Sequence, residues 1–578
     1  MSAMSAFWPH LVAAPILLPL LTAAVLLLMG EGRRSVKAGI NVAACALGAL
    51  AALALAWRAS RVEGVSAIGV YLPGNWPVPY GIVLVNDRLA ALMLVLTAAL
   101  ALAASVYATA RWQRAGVHFH ALFQLQVMGL NGVFLTGDLF DLFVFFEIML
   151  TASYGLLMFG TGWARVRAGL HVIAINLMAS ALFLIGAALL YGVTGTLNLA
   201  DMAIVATSIA PADRGLLHAG AAILGLAFLA KAGAWPLAFW LPGAYASAAA
   251  PAAALFAVMT KLGVYALLRL WTLLFGVNAG VSSGLGAPVI AGVGLATLAF
   301  GALGMLASRQ LARMAAFGVV ASSGTLLAAI GLRLPAVTGA ALYYATASTL
   351  AMGALFLLIE LIDRVRQVAE TPPQVPEAPD PAQGYRAGGG MAFRAFARSG
   401  KIAAPVSAPA PALAPAARVN LDDAGQALTG RAIPAALAFV GLAFIVCVLT
   451  LAGLPPLAGF VGKFSMLAAL LAAPAVPVTG WLFFALLLLG GLLALLALAR
   501  AGIRNFWVAR ASPPRLPLVE TLPVAFLVGL VLLLTVCAGP ALRYTQAAAR
   551  ALYDPHDYIN AVVTTQPRPP APREGSGP

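Results

Sequence analysis

The chain has 578 residues, of which 62% are hydrophobic and 9% are charged. A soluble globular protein carries about 25% charged residues, so this composition excludes an ordinary soluble domain and favours a membrane protein. The net charge of +15 does not indicate nucleic-acid binding, because the arginines stand in short clusters between apolar runs. Such clusters are typical of loops that face an anionic membrane surface.

Regularly spaced apolar runs predict a polytopic all-α protein. About twenty apolar residues cross the hydrocarbon core as a helix, and the sequence contains 14 candidates. In chain order they are 11–29, 36–57, 89–110, 117–136, 138–160, 170–193, 216–242, 249–272, 286–307, 310–333, 337–361, 432–473, 478–500 and 521–543.

Two of these spans are predicted to be broken. The interval 432–473 is too long for one crossing and too short for two, and it contains Pro455 and Pro456. The seventh span, 216–242, carries Pro236 downstream of a lysine. Interrupted helices in corresponding positions of two halves indicate the ion site of a transporter.

The distribution of loop charges predicts the topology. Loops after odd-numbered spans hold, among others, Arg33, Arg34, Lys37, Arg111, Arg114, Arg165, Arg167, Arg309, Arg313, Arg364, Arg366, Arg500, Arg504, Arg510 and Arg515. Loops after even-numbered spans hold only Arg58, Arg61, Arg88, Arg214, Arg269 and Arg333. The positive-inside bias therefore predicts cytoplasmic odd loops and both termini on the outer side.

Three segments are predicted to lie outside the membrane. Residues 58–88 contain turn residues and then the β-like run GIVLV, which indicates an external hairpin. Residues 368–429 are rich in proline and alanine and indicate a disordered cytoplasmic insertion. Residues 544–578 are expected to form a C-terminal tail.

Four charged residues lie deep inside apolar spans. Lys463 has no other charged residue between Arg431 and Arg500, and 29 uncharged residues separate Lys231 from Lys261. The acid is Glu147, in LFVFFEIML. A charge at bilayer depth is expensive and marks a functional site by default. Because a buried lysine exchanges its proton readily and an arginine does not, the pattern predicts a proton path.

Each of these charges also has a structural interpretation. Lys261 or Lys463 could extend to the membrane interface, and Lys231 could cap the carbonyls of a broken helix. Five further polar residues either line a hydrated channel or serve as helix–helix contacts. They are Ser322, Ser323, Tyr344, Ser348 and Thr349. No phosphate loop, metal-ligand cluster or nucleophile–base pair occurs, so neither a cofactor nor a metal is predicted.

Several long segments resemble one known family. The segments are NGVFLTGDLFDLFVFFEIMLTASYGLLMFG, GLAFLAKAGAWPLAFWLPGAYASA, MTKLGVYALLRL and LAGLPPLAGFVGKFSML. They are similar to the antiporter-like subunits of respiratory complex I. YGIVLVNDRLAALML and GDLFDLFVFFE resemble in particular the D subunit of Mrp-type multisubunit monovalent cation/proton antiporters. The resemblance covers nearly the whole chain except the proline- and alanine-rich insertion.

The resemblance implies 14 helices with two inverted five-helix repeats, each containing a broken helix. The repeats would be 117–272 (spans 4–8) and 286–500 (spans 9–13). They would follow an N-terminal part, 1–116, and precede the last span, 521–543.

The resemblance also implies roles for the buried charges. Glu147 and Lys231 would be the acid–lysine pair of the first repeat, Lys261 the connecting lysine, and Lys463 the terminal lysine of the second repeat, opposite Lys231. The sequence departs from the family at Ala347, where relatives carry a histidine. Water with Tyr344 or Ser348 would have to replace that histidine.

The implied activity is proton transport in exchange for Na⁺ or K⁺ by a transporter subunit that is not an enzyme. Its partners would be the other subunits of the complex, in a bacterial inner membrane. Two alternatives remain. One is a proton-pumping subunit of a quinone oxidoreductase or membrane hydrogenase, and the other is a structural subunit whose relay is vestigial.

Overall fold

The computed structural model describes residues 8–30, 32–62, 64–112, 116–160, 162–370, 435–506 and 516–567, without the side chains of 365–370. Most of these residues are helical. The first half holds α1 (Ala14–Leu28), α2 (Arg34–Arg61), α3 (Arg88–Ala108), α4 (Phe119–Leu135), α5 (Leu139–Leu157), α6 (Trp163–Thr194), α7 (Leu199–Ser208), α8 (Arg214–Lys231), α9 (Trp240–Ser247) and α10 (Ala250–Leu274).

The second half continues with α11 (Ala287–Ala307), α12 (Leu311–Gly331), α13 (Pro335–Glu370), α14 (Ala435–Ala452), α15 (Ala458–Leu471), α16 (Val478–Phe506), α17 (Leu518–Val536), α18 (Ala538–Tyr553) and α19 (His556–Val563). Twelve of the described helices are long and apolar enough to cross a membrane, and α1 and α4 are shorter apolar helices. Together they correspond to the 14 predicted spans. The chain is a multi-pass, all-α membrane protein, as the sequence predicts, while the two inverted repeats stay a prediction.

Both predicted breaks are present. The seventh span consists of α8 and α9, and the twelfth of α14 and α15. Gly233 follows α8 and Gly453 follows α14, and both adopt a positive φ, 66° and 78° respectively. Each half-helix ends with the same six-residue turn, in which Ala234 N–H donates to Leu229 O and Leu454 N–H donates to Leu449 O. A glycine in this conformation is a common helix terminator, because a side chain there would be strained.

Helix α10 occupies the centre of the molecule. It packs against α3, α8, α12 and α13, and its membrane-spanning window is completely buried inside the protein. A helix in this position contacts protein rather than lipid, so a charged residue on it can be compensated by polar neighbours. This position explains why Lys261 and Arg269 can both be part of one apolar helix.

Two of the positive residues that the topology prediction counts with the loops are buried within helices instead. Lys37 belongs to α2 and Arg269 to α10, and both are buried. Arg269 donates two hydrogen bonds, of 2.6 and 2.7 Å, to the carboxylate of Asp87, the residue that caps α3. Burial alone raises the pKa of Asp87, but its attraction to Arg269 outweighs that effect and holds the pKa below its usual range.

The segments predicted to lie outside the membrane differ in outcome. Within 58–88, β1 (Gly69–Tyr71) pairs antiparallel with β2 (Leu84–Asn86), and its outer location stays a prediction. The last span ends at Val536, earlier than predicted, and the residues after it form α18 and α19 before 568–578. Most of the insertion 368–429, and the end of the tail, lie outside the described residues.

Candidate functional site

Glu147 and Lys231 meet, as predicted, through the packing of α5, α6 and α8. Asp138 caps α5 by accepting hydrogen bonds from Phe140 N–H at 2.7 Å and Asp141 N–H at 3.1 Å. Glu147 follows nine residues later, about 14 Å along the helix. Its Oε1 lies 3.7 Å from Lys231 Nζ.

A serine that the sequence analysis did not select connects this pair. Ser180 of α6 donates a hydrogen bond to Glu147 Oε1, and Lys231 Nζ donates to Ser180 Oγ at 3.2 Å. The Lys231 side chain is 3% exposed and the Glu147 side chain 34% exposed. The Lys231 side chain therefore lies inside the protein, whereas the Glu147 side chain is partly exposed. A lone serine in an apolar helix carries no sequence signal, because its partners come from two other helices.

Lys261 lies on α10, the helix that packs against the break of the seventh span. Gly263, two residues further along α10, packs so closely there that a Cβ would lie 2.5 Å from Phe228 O and 2.6 Å from Ala232 N. Lys261 is 3% exposed, and its Nζ donates a hydrogen bond to Ser323 Oγ at 3.4 Å. Lys261 therefore does not extend to the membrane interface, which was the structural alternative to a role in the proton path.

The five polar candidates of the second half are all buried. Ser322 and Ser323 are consecutive residues of α12, so one residue contacts Lys261 and its neighbour faces another helix. Ser322 Oγ lies 3.0 Å from Ser348 Oγ of α13, and Tyr344 lies beside both serines. The structure thus brings Ser322, Ser323, Tyr344 and Ser348 between Lys261 and the second break.

Lys463 contacts the second break in an unexpected way. It lies on α15, after the break, whereas Lys231 lies on α8, before the break. Its Nζ nevertheless reaches back and donates hydrogen bonds to Leu451 O at 3.2 Å and Ala452 O at 2.9 Å. Because the two breaks share the same turn, Leu451 occupies in the second break the position that Lys231 has in the first. The two lysines are therefore attached to opposite halves of their broken spans.

Tyr344 joins the serine cluster to Lys463. Lys463 Nζ lies 5.9 Å from the centre of the Tyr344 ring, and a Cβ at Gly462 would lie 2.9 Å from Tyr344 Cβ.

Ala347, where the family resemblance leads one to expect a histidine, is completely buried. The hydroxyl groups of Thr260 and Thr349 are buried and have no hydrogen-bond partner among the described residues.

At both breaks, a backbone N–H group is bound by a threonine of a neighbouring helix, and neither threonine was predicted from the sequence. Trp235 N–H donates to Thr297 Oγ1 at 2.8 Å, and Ala458 N–H donates to Thr535 Oγ1 at 2.9 Å. Backbone at membrane depth that is not helical requires such partners from neighbouring helices. The threonines fix the unwound segments beside Lys231 and Lys463.

Comparisons with known proteins agree with this architecture. Residues 136–371 match the family model described as "NADH:quinone oxidoreductase/Mrp antiporter, TM". The chain is 46% identical to the D subunit of a probable K⁺/H⁺ antiporter of Rhizobium meliloti (strain 1021), over 98% of this chain and 99% of the relative. It is 30% identical to the D subunit of an Na⁺/H⁺ antiporter of Bacillus subtilis (strain 168), over 96% and 99% of the two chains.

A solved structure is similar over the same extent. One chain of the Mrp complex from Dietzia sp. DQ12-45-1b superimposes with a TM-score of 0.75 at 25% identity, and the match covers 96% of this chain and 99% of that chain. The similarity therefore includes both broken spans and the helices that surround them.

Proposed function

Because the chain belongs to the family of D subunits of multisubunit monovalent cation/proton antiporters, we propose that it moves protons through a relay formed by Glu147, Lys231, Lys261 and Lys463, in exchange for Na⁺ or K⁺. The observation that carries the proposal is the contact of Lys231 with Glu147 and Ser180 beside a helix break. It is the arrangement expected of an ion site in a transporter.

The first half of the relay depends on a charge that can change. While Glu147 is ionised, its carboxylate stabilises the ammonium form of Lys231, whereas burial of the amine opposes that form. Neutralising Glu147, or moving it away from Lys231, would release the lysine proton toward Lys261 on the adjacent helix. Ser180 keeps both partners in position, since its hydroxyl donates to one and accepts from the other.

The second half depends on hydroxyl groups and water. From Lys261 the proton would pass along Ser323, Ser322, Ser348 and Tyr344 to Lys463. Serine and tyrosine hydroxyls both donate and accept hydrogen bonds, which a proton wire requires. The unpartnered hydroxyls of Thr260 and Thr349 would bind water molecules that complete the wire in place of the histidine absent at Ala347.

The family and the distribution of loop charges support a setting for the relay. We place the chain in a bacterial inner membrane with both termini on the outer side, assembled with the other antiporter subunits. Similarity to antiporter D subunits over nearly the full length favours this function over proton pumping in a quinone oxidoreductase or a membrane hydrogenase.

The test is antiport by the whole complex in membrane vesicles. Glu147→Gln, Lys231→Ala and Lys463→Ala should each abolish the cation-dependent change in pH while the subunits still co-purify. Lys401→Ala is the matched control, because Lys401 belongs to the insertion 368–429, and it should leave antiport unchanged. Wild-type antiport from the triple variant would refute the relay.

Lys231→Arg distinguishes proton transfer from charge neutralisation in the same assay. Arginine keeps the positive charge but does not release its proton at accessible pH. If Lys231 must give up its proton in each cycle, this variant should be as inactive as Lys231→Ala although the complex assembles. Substantial antiport from Lys231→Arg would show that the proton takes another route.

A further inference from the structure

A large cavity among the described residues lies away from the residues of the relay. It has a volume of about 860 Å³ and opens sideways between the start of α6, the half-helix α9 and the start of α12. This volume falls in the range of about 300–1,000 Å³ that is typical of small-molecule sites. We call it the α6–α9–α12 groove.

The polar groups of this groove fit an anion. Arg167 and His171 of α6 and Arg313 of α12 line it, and no acidic residue is among its described lining residues. Both arginines are exposed, so their guanidinium groups can form paired hydrogen bonds with a phosphate. The chemistry of the groove therefore favours a phosphate group over a neutral or cationic ligand.

The position of the groove near the ends of two spans fits the depth of lipid headgroups. Arg167 is in the second turn of α6 and Arg313 is in the first turn of α12. Trp163 and Trp240 line the same groove, and tryptophan is enriched at the membrane–water interface. The Trp240 indole is buried, and its N–H has no hydrogen-bond partner in the part of the chain that the structure describes.

An apolar stripe leads from the groove into the membrane. Trp163, Leu170, Leu177 and Leu184 recur every seven residues, so they share one face of α6, and all four are exposed. The stripe is about 32 Å long, close to the thickness of the hydrocarbon core. A soluble phosphate would use only the charged end of this surface, whereas a phospholipid would cover the charged end and the nearer part of the stripe, around Leu170, because acyl chains reach about half the thickness of the core.

We propose that the α6–α9–α12 groove binds an anionic phospholipid, with its phosphate at Arg167 and Arg313 and its acyl chains along the leucine stripe. Basic pockets between membrane helices at the headgroup level are suited to such lipids. This inference does not depend on the proposed relay, since none of the residues that it uses belongs to that relay.

The test titrates the purified whole complex in neutral detergent with phosphatidylglycerol and measures its thermal unfolding. Phosphatidylglycerol should raise the unfolding midpoint more than phosphatidylcholine does. The double variant R167Q/R313Q should lose at least about half of that difference. R33Q/R34Q removes two exposed arginines elsewhere and should keep all of it. Equal stabilisation of wild type and R167Q/R313Q would overturn the proposal.

Two further experiments identify the molecule that binds in the groove. Inorganic phosphate should not reproduce the stabilisation, and if it does, the groove binds a soluble anion and the proposal is wrong. A photoreactive benzophenone amino acid in place of Leu170 should form an adduct with phospholipid in the assembled complex. An adduct with another subunit instead would show that protein covers the stripe, and would also overturn the proposal.

Discussion

Ser180 gives the acid–lysine pair its geometry at the scale of single residues. The 3.7 Å between Lys231 Nζ and Glu147 Oε1 is longer than an ordinary hydrogen bond, and the Ser180 hydroxyl contacts both groups. Without it, the carboxylate and the ammonium group would each lose a partner in a place where few alternatives exist.

Ser180→Ala should therefore slow antiport without preventing assembly. A hydrogen bond to a charged group contributes about 1.5–3 kcal/mol, so we expect the rate to fall by about tenfold or more. The measurement is cation-dependent proton transport in vesicles. Ser180→Thr keeps the hydroxyl and should retain most of the activity.

Ser153→Ala is the matched control for this experiment. Ser153 is also buried, but its hydroxyl donates only to Leu150 O of its own helix, so its loss should leave antiport nearly unchanged. Equal rates for wild type and Ser180→Ala would remove the serine from the mechanism.

At the scale of helices, the two breaks are the parts of the relay that depend most on their neighbours. The N–H of Ala458 finds its acceptor on Thr535, 77 residues away in the sequence. Ala458 is completely buried, so water does not offer an easy substitute. The start of α15, and with it the position of Lys463, is fixed by one side chain of α17.

Thr535→Val should loosen this attachment. Valine has a similar shape but accepts no hydrogen bond, and a buried N–H left without a partner costs about 1–3 kcal/mol. We expect a lower thermal unfolding midpoint of the purified complex, while Thr535→Ser should restore it.

Thr22→Val provides the comparison for that loss. The Thr22 hydroxyl donates only to Leu18 O of its own helix, so its replacement should have little effect. If both valine variants unfold at the same temperature, the Thr535 hydroxyl does not hold the break.

The helix breaks were predictable from sequence, whereas their supports were not. Proline is disfavoured in a helix interior, and in these two spans it stands next to a nearby glycine, so Pro236 and Pro455 locate the breaks without knowledge of the fold. Ser180, Thr297 and Thr535 act across helices, and only the packing of distant segments brings their hydroxyl groups into contact with their partners.

For the same reason, the sequence placed Lys37 and Arg269 with the loops, since hydropathy does not show that a charge near a helix end has a buried partner.

At the scale of the whole molecule, the described helices on both sides of residues 371–434 form one structure. Helices α13 and α14 pack against each other directly, although they are separated by this long segment. The buried charges of the relay all lie outside it. The core of the transporter therefore does not need the insertion to bring its two halves together.

Deleting residues 372–426 should leave antiport within about twofold of wild type, because the proline- and alanine-rich sequence of this segment predicts neither a span nor a buried charge. The measurement is the cation-dependent change in pH in vesicles, with co-purification of the other subunits as the control for assembly. Loss of activity in a fully assembled complex would instead assign the insertion a regulatory or lipid-binding role.

The different attachments of the two terminal lysines make the proposed relay asymmetric. Lys231 is held by a carboxylate, whose charge can be switched on and off, whereas Lys463 is held by the carbonyl oxygens of Leu451 and Ala452. A main-chain carbonyl has no charge to gain or lose, and no point substitution removes it. In the proposed relay, Lys231 therefore has a partner whose charge can change and Lys463 has partners whose charge cannot, so the control of proton release would fall to the pair in the first half.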